Sequence, residues 1–338
     1  MTGRQATVRI DVDDWDMSHM QTHLQAAADL EAWTIPFYLS AMFSICNQDD
    51  DAYKLIQSVA NQEMLHLQLV GNIANAFGYS PEIRPEAFAY QGTTVPHLDF
   101  SLDPSNPAKD FTPYSAEIGP LDEQRINAMC LIEYPEWDTG GEPDLRDDVS
   151  EYGSIGEFYD ALMHGAKQLK SQIKGGVNQV YWFGQFYPKM PPMQVDDDGT
   201  TGFEEVEVLM EVIRDQGEAA KAFDEIAAPF RNTYDDPEPA ASHYQKFVSI
   251  RNSGLPETYS VKDPSAYTPD DLVCRQKLID DFAGFTGQIT DLLAGRAQEL
   301  PLMEIVGQDI LACWQSGVTP QFTKTSDARS QLGPQQPA

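Results

Sequence analysis

Between residues 17 and 47 the apolar side chains Met20, Leu24, Ala27, Ile35, Tyr38, Met42 and Ile45 recur three and four positions apart, and Glu31 sits at the midpoint of that row. The same spacing returns over residues 51–78 in Leu55, Val59, Val70, Ile73 and Phe77, with Glu63 and His66 on the stripe. Such periodicity predicts two amphipathic helices. The short link between them predicts an antiparallel hairpin that brings Glu31 near Glu63 and His66. Further helices are predicted over residues 121–132, where Pro135 follows as a stop, and from Ser154 to the Gly175-Gly176 pair. Three more are expected at residues 203–225, 242–251 and 302–314, and another is marked by Leu278, Phe282, Phe285, Ile289 and Leu292. Residues 81–120 are proline-rich and read as a crossover, within which 95–102 alternate enough for a short strand. The expected architecture is all-α: one domain over 17–315 with a long insertion at 81–153, then a flexible tail over 316–338, of which 326–338 look frayed.

Charged groups on core stripes change the picture from packing to chemistry. A buried carboxylate without a partner costs several kcal/mol or takes up a proton, so Glu63-x-x-His66 faced by Glu31 is a candidate metal-ligand set. Four-helix dinuclear carboxylate proteins draw their ligands from Glu-x-x-His pairs and single Glu residues on facing helices. An ordinary buried Glu–His hydrogen bond is the alternative. Ser154-Ile155-Gly156-Glu157 has the spacing of a capping box, which makes Glu157 a cap. Glu133, just before Pro135, is expected to accept backbone amides at a chain turn. Tyr38, on the stripe of Glu31, is expected to pack in the core, with hydrogen-bond or electron donation near a metal as its catalytic alternative. The aromatic run at 181–187 reads as packing across the end of a bundle.

Composition narrows the partners. Fifty-three acidic against 22 basic residues give a net charge of −31, a field that repels phosphate backbones and argues against nucleic acid. No run is long and apolar enough to span a bilayer, and the start lacks a signal-peptide pattern. Cys46, Cys130, Cys274 and Cys313 lack metal or redox spacing and read as reduced thiols of a cytoplasmic protein.

The succession Leu30-Glu31, Thr34-Ile35-Pro36-x-Tyr38-Leu39, Gln62-Glu63-Met64-Leu65-His66-Leu67, Ile132-Glu133-x-Pro135-Glu136, Gln216-Gly217-Glu218 and Ser242-His243-Tyr244-x-x-Phe247 resembles the ferritin-like domain of iminophenyl-pyruvate dimer synthases. Those enzymes couple two imines derived from an aromatic amino acid, in violacein and indolocarbazole biosynthesis. The resemblance spans roughly residues 17–250 and implies a ferritin-like four-helix bundle with additional C-terminal helices. It also implies that Glu218 and His243 complete the ligand set, with Glu211 as a weaker candidate. On a helical wheel Glu207, Glu211, Arg214, Glu218 and Lys221 form one charged strip, so solvated salt bridges stay open for both acids. Ala32 and Ala219 depart from the family pattern, and the first alters the surroundings of Glu31.

Carboxylates with few imidazoles suit two iron ions, or manganese, with Glu63 as a bridge. Haem is also left open, since some members of the family are associated with it. The expected activity is that of a non-haem di-iron oxidase or oxygenase with a small, aromatic-amino-acid-derived substrate and dioxygen or peroxide. A homodimer is compatible with it. Iron handling or peroxide scavenging, and a metal-free interaction module, are the competing classes.

Overall fold

The computed structural model describes residues 10–324 apart from 104–105, 136–144, 151, 185, 188, 218–224, 232–235, 298 and 300–302, and apart from the side chain of Glu86. Among the described residues there are eight α-helices and no strand: α1 (Met17–Phe43), α2 (Asp51–Ala76), α3 (Glu123–Ile132), α4 (Ile155–Gln168), α5 (Gly199–Gly217), α6 (His243–Ser253), α7 (Pro269–Leu293) and α8 (Met303–Gln315). The strand allowed at 95–102 is absent; that stretch makes only isolated bridges, Val95 with Leu98 and Leu98 with Tyr152.

α1 and α2 form the expected antiparallel hairpin, and α1 is buried on every side from His23 to Met42. Its composition explains this, because Ala26-Ala27-Ala28 and the run Trp33 to Met42 leave no polar face to turn toward water. α1 ends at Phe43 rather than at residue 47: Ile45 bridges to Thr258, and the Cys46 amide donates to the Glu257 carbonyl, so this segment pairs with the chain beyond α6 instead. α2 stops before Gly78, whose φ of 72° is left-handed, as a glycine that ends a helix commonly is.

The shorter helices surround this hairpin. α5 and α6 pack on α2, α4 packs on α1 and α5, and α3 packs on α6. α4 has Ser154 as its N-cap, and Glu157 caps the helix entry by accepting the Gly153 amide at 2.7 Å, one residue before the Ser154 amide that a capping box would use, and pairs with Arg146. The aromatic run docks on α2, where Gln68 Oε1 accepts the amides of Trp182 and Phe183 at 2.6 and 3.2 Å. Tyr181 and Phe186 remain exposed.

α7 and α8 pack together and flank the hairpin. Asn75 donates to the Leu293 carbonyl at 2.8 Å, and Trp314 Nε1 donates to the Ser40 carbonyl at 2.9 Å. Between α1, α2 and α7 lies an apolar cleft walled by Ile35, Phe88, Phe282, Phe285 and Ile289. Its lining includes Ala32, next to Glu31 in sequence, and Leu67, next to His66, but none of the acids or histidines singled out above. No helix among the described residues is long and apolar enough to cross a membrane.

Candidate metal centre

Five buried side chains from four elements converge inside the bundle. α1 supplies Glu31, and α2 supplies Glu63 and His66 one turn apart. Glu133 is the C-cap residue of α3, and His243 is the first residue of α6, held there by a capping box between Ser242 and Gln245. The Glu31, Glu63 and His66 donor atoms lie within 4.8 Å of one another, and so do those of Glu63, Glu133 and His243. Glu63 belongs to both groups, so the centre has two halves with a shared carboxylate. None of the five exceeds 3% exposure.

Each half is built from the same parts. His66 Nδ1 lies 3.5 Å from Glu31 and 3.7 Å from Glu63, while His243 Nδ1 lies 2.8 Å from Glu63 and 3.5 Å from Glu133. Behind each imidazole stands a glutamine oxygen: Gln216 Oε1 is 2.9 Å from His66 Nε2, and Gln62 Oε1 is 2.9 Å from His243 Nε2. Behind each outer carboxylate stands a tyrosine: Tyr159 donates to Glu31 Oε1, and Tyr38 donates to Glu133 Oε1 at 2.5 Å. Thr34 donates to Glu63 Oε2 at 2.8 Å.

The electrostatics call for cations. Three carboxylates share a water-poor interior, and burial together with the neighbouring Glu133 pushes Glu63 well above the usual carboxylate range. Burial pulls His66 down, but its bond to Glu31 and the charge of Glu63 outweigh that and raise it. Tyr38 and Tyr159 are both pushed well up, first by burial and then by Glu133 and Glu31 respectively, so both stay protonated donors. Among the described residues His243 Nδ1 is buried without a hydrogen-bond partner despite its 2.8 Å approach to Glu63. A nitrogen lone pair facing a carboxylate oxygen at that distance is repulsive unless a proton or a metal ion is shared between them. Imidazole and carboxylate donors in two adjoining groups fit iron or manganese.

The ferritin-like family profile matches residues 24–252. The chain belongs to the ferritin-like family. A crystal structure of a ferritin-like protein from Caulobacter vibrioides is 43% identical and superposes with a TM-score of 0.78, covering 91% of this chain and 99% of that one. No curated protein matches.

Within this ferritin-like bundle the structure brings together Glu31, Glu63, His66 and His243, as the sequence pattern and the resemblance placed them. Glu218 lies outside the described residues. Glu211 belongs to neither donor group; it is half-buried on α5, raised by partial burial and then by Glu207, as suits a member of a charged strip. Glu133 corrects the sequence reading. Its carboxylate takes the Tyr38 hydroxyl and faces His243, because α3 ends where its C-cap meets α6. The clue was the buried Tyr38 itself, whose hydroxyl needs a partner inside the core. Tyr38 packs in the core as expected, edge-on to Phe247 at 5.1 Å, and is a hydrogen-bond donor as well. Gln62 and Gln216 were missed as orienting residues, since an amide on a helix carries no positional signal of its own.

Proposed function

We propose that this ferritin-like protein is a dinuclear non-haem oxidase or oxygenase, with iron or manganese held by Glu31, Glu63, His66, Glu133 and His243. The observation that carries the reading is the pair of glutamine-backed imidazoles whose Nδ1 atoms both face Glu63. Donation of both Nε2 protons outward leaves both Nδ1 lone pairs for a metal. When bound, the two ions supply activation of dioxygen or peroxide for oxidation of an organic substrate. The protein's own part is to orient and to exclude water. Tyr38 and Tyr159 hold protons at Glu133 Oε1 and Glu31 Oε1, and Phe247 and Phe158 close the apolar shell around those tyrosines. The motif succession favours a small substrate derived from an aromatic amino acid.

Metal analysis of protein purified without chelators tests this reading. Two iron or manganese ions per chain are expected; Glu63→Ala should lose both and Glu133→Ala one. Unchanged metal content in Glu63→Ala would sink the assignment. Oxygen uptake that depends on an aromatic imine or enamine supports the oxidase, whereas ferric mineral accumulating within a closed shell of subunits would establish an iron store instead.

A further inference from the structure

Lys246 is buried in α6, one turn beyond His243, with its side chain wholly out of solvent. Its ammonium contacts Asp236 Oδ2 at 2.6 Å, Ser58 Oγ at 3.1 Å and Gln62 Oε1 at 3.4 Å. Gln62 Oε1 is the same atom that faces His243 Nε2. We propose that Lys246 is a positioning residue: through Gln62 it fixes the tautomer of His243 and so decides whether the second half of the centre can bind metal, which rests on the dinuclear reading above.

The argument is one of obligate partners. An ammonium has only protons to offer, so even at 3.4 Å it attracts the amide oxygen of Gln62 and repels the NH2 group. With the oxygen held toward Lys246 and His243, the imidazole must donate from Nε2, and Nδ1 is left as a lone pair facing Glu63 and Glu133. The rotated amide would present NH2 to Nε2, force the proton onto Nδ1 and block metal there. Gln62 gains nothing else from its orientation, because its Nε2 is buried without a partner among the described residues. The ammonium therefore sets the choice. In the other half the outcome is reached by opposite means: Gln216 Nε2 donates at 2.8 Å to the Phe230 carbonyl, an obligate acceptor, which turns its oxygen to His66. Removing Lys246 should thus affect one half only. Asp236 compensates the buried charge, as a buried ammonium requires.

The test uses the full-length, metal-free chain labelled with ¹⁵N-histidine, with the pH raised until the His66 and His243 spectra no longer change, because His66 lies above the ordinary imidazole range near 6.5. Two-bond ¹H–¹⁵N spectra separate Nε2–H from Nδ1–H imidazoles, and the six histidines make assignment by single substitution tractable. In the wild type His66 and His243 should both be Nε2–H. Lys246→Met should move His243 toward Nδ1–H, leave His66 unchanged, and weaken Co²⁺ binding at one of two positions by roughly tenfold to a hundredfold. Lys246→Met/Asp236→Leu removes the stranded carboxylate and should give the same spectrum in a chain that stays folded. In a Gln62→Met background Lys246→Met should have no further effect on His243. Retention of Nε2–H by His243 in a folded Lys246→Met double variant overturns the proposal. A wild type that binds no Co²⁺ while its His243 tautomer still follows Lys246 supports the positioning role and defeats the dinuclear reading, so the two failures are distinguishable.

Discussion

His23 shows what burial does to an imidazole that faces no carboxylate. It sits on α1 two turns before Glu31, with Nδ1 2.9 Å from the His19 carbonyl and Nε2 2.9 Å from the Tyr152 hydroxyl. The carbonyl can only accept, so the proton is on Nδ1 and Tyr152 donates to Nε2, the opposite tautomer to that argued for His66 and His243. Burial, opposed by the His19 carbonyl, pulls its pKa from 6.5 down to about 4. Because the folded value is depressed, the stabilisation from keeping His23 neutral is full above pH 6.5 and is lost as pH falls through about 4. A shift of that size corresponds to roughly 3 kcal/mol. His23→Phe should therefore flatten the acid limb of urea-unfolding stability between those two pH values; an unchanged limb would mean that His23 is charged in the folded chain. The Glu-x-x-His spacing singles out His66 and passes over His23, but the tautomer of each imidazole is decided only by the neighbours it meets in the fold.

At the scale of elements, the centre depends on helix ends as much as on helix faces. Glu133 caps α3 and His243 opens α6, while α5 passes the site at its last residue, Gly217. A Cβ at Gly217 would stand 3.2 Å from Glu133 Oε2, tight enough that the carboxylate would have to yield by a few tenths of an ångström. Alanine is favoured over glycine in a helix by about 1 kcal/mol. Gly217→Ala should accordingly leave thermal stability equal or slightly higher, yet weaken metal binding in the Glu133–His243 half several-fold while sparing the Glu31–His66 half. Equal weakening of both halves in a Co²⁺ titration would refute this placement of Gly217. The hairpin was readable from periodicity because both helices keep one register for their full length. The contribution of α3 was not, because a residue at a helix terminus belongs to no stripe.

Across the whole molecule the charge of −31 lies mostly outside the core, and several of its basic partners sit in exposed pairs such as Lys174–Asp198 and Arg296–Asp291. Exposed pairs of this kind contribute little, so self-repulsion among the unmatched acids should dominate the response to salt. Raising sodium chloride from about 20 mM to about 0.5 M shortens the screening length from roughly 20 Å to roughly 4 Å. The melting temperature of the metal-free chain should rise by several degrees over that range. A constant or falling melting temperature would show that the acids are locally compensated.

The sequence by itself determined the α-helical class, the α1–α2 hairpin and the convergence of Glu31, Glu63 and His66 as a candidate donor set, because helical periodicity is local and an acid on an apolar stripe is anomalous without any knowledge of its partner. Resemblance of motifs added His243. Tertiary structure alone decided that Glu133 completes the second half and that Glu211 belongs to neither half. It alone showed that Tyr38 and Tyr159 serve as matched donors, and that Gln62 and Gln216 stand behind the two imidazoles. Each of those assignments joins residues from different helices, and the sequence separation of 95 between Tyr38 and Glu133, or 150 between His66 and Gln216, leaves no periodic trace. A side chain's role in a buried polar network is fixed by which donor or acceptor faces it, and only packing of the helices against one another supplies that partner.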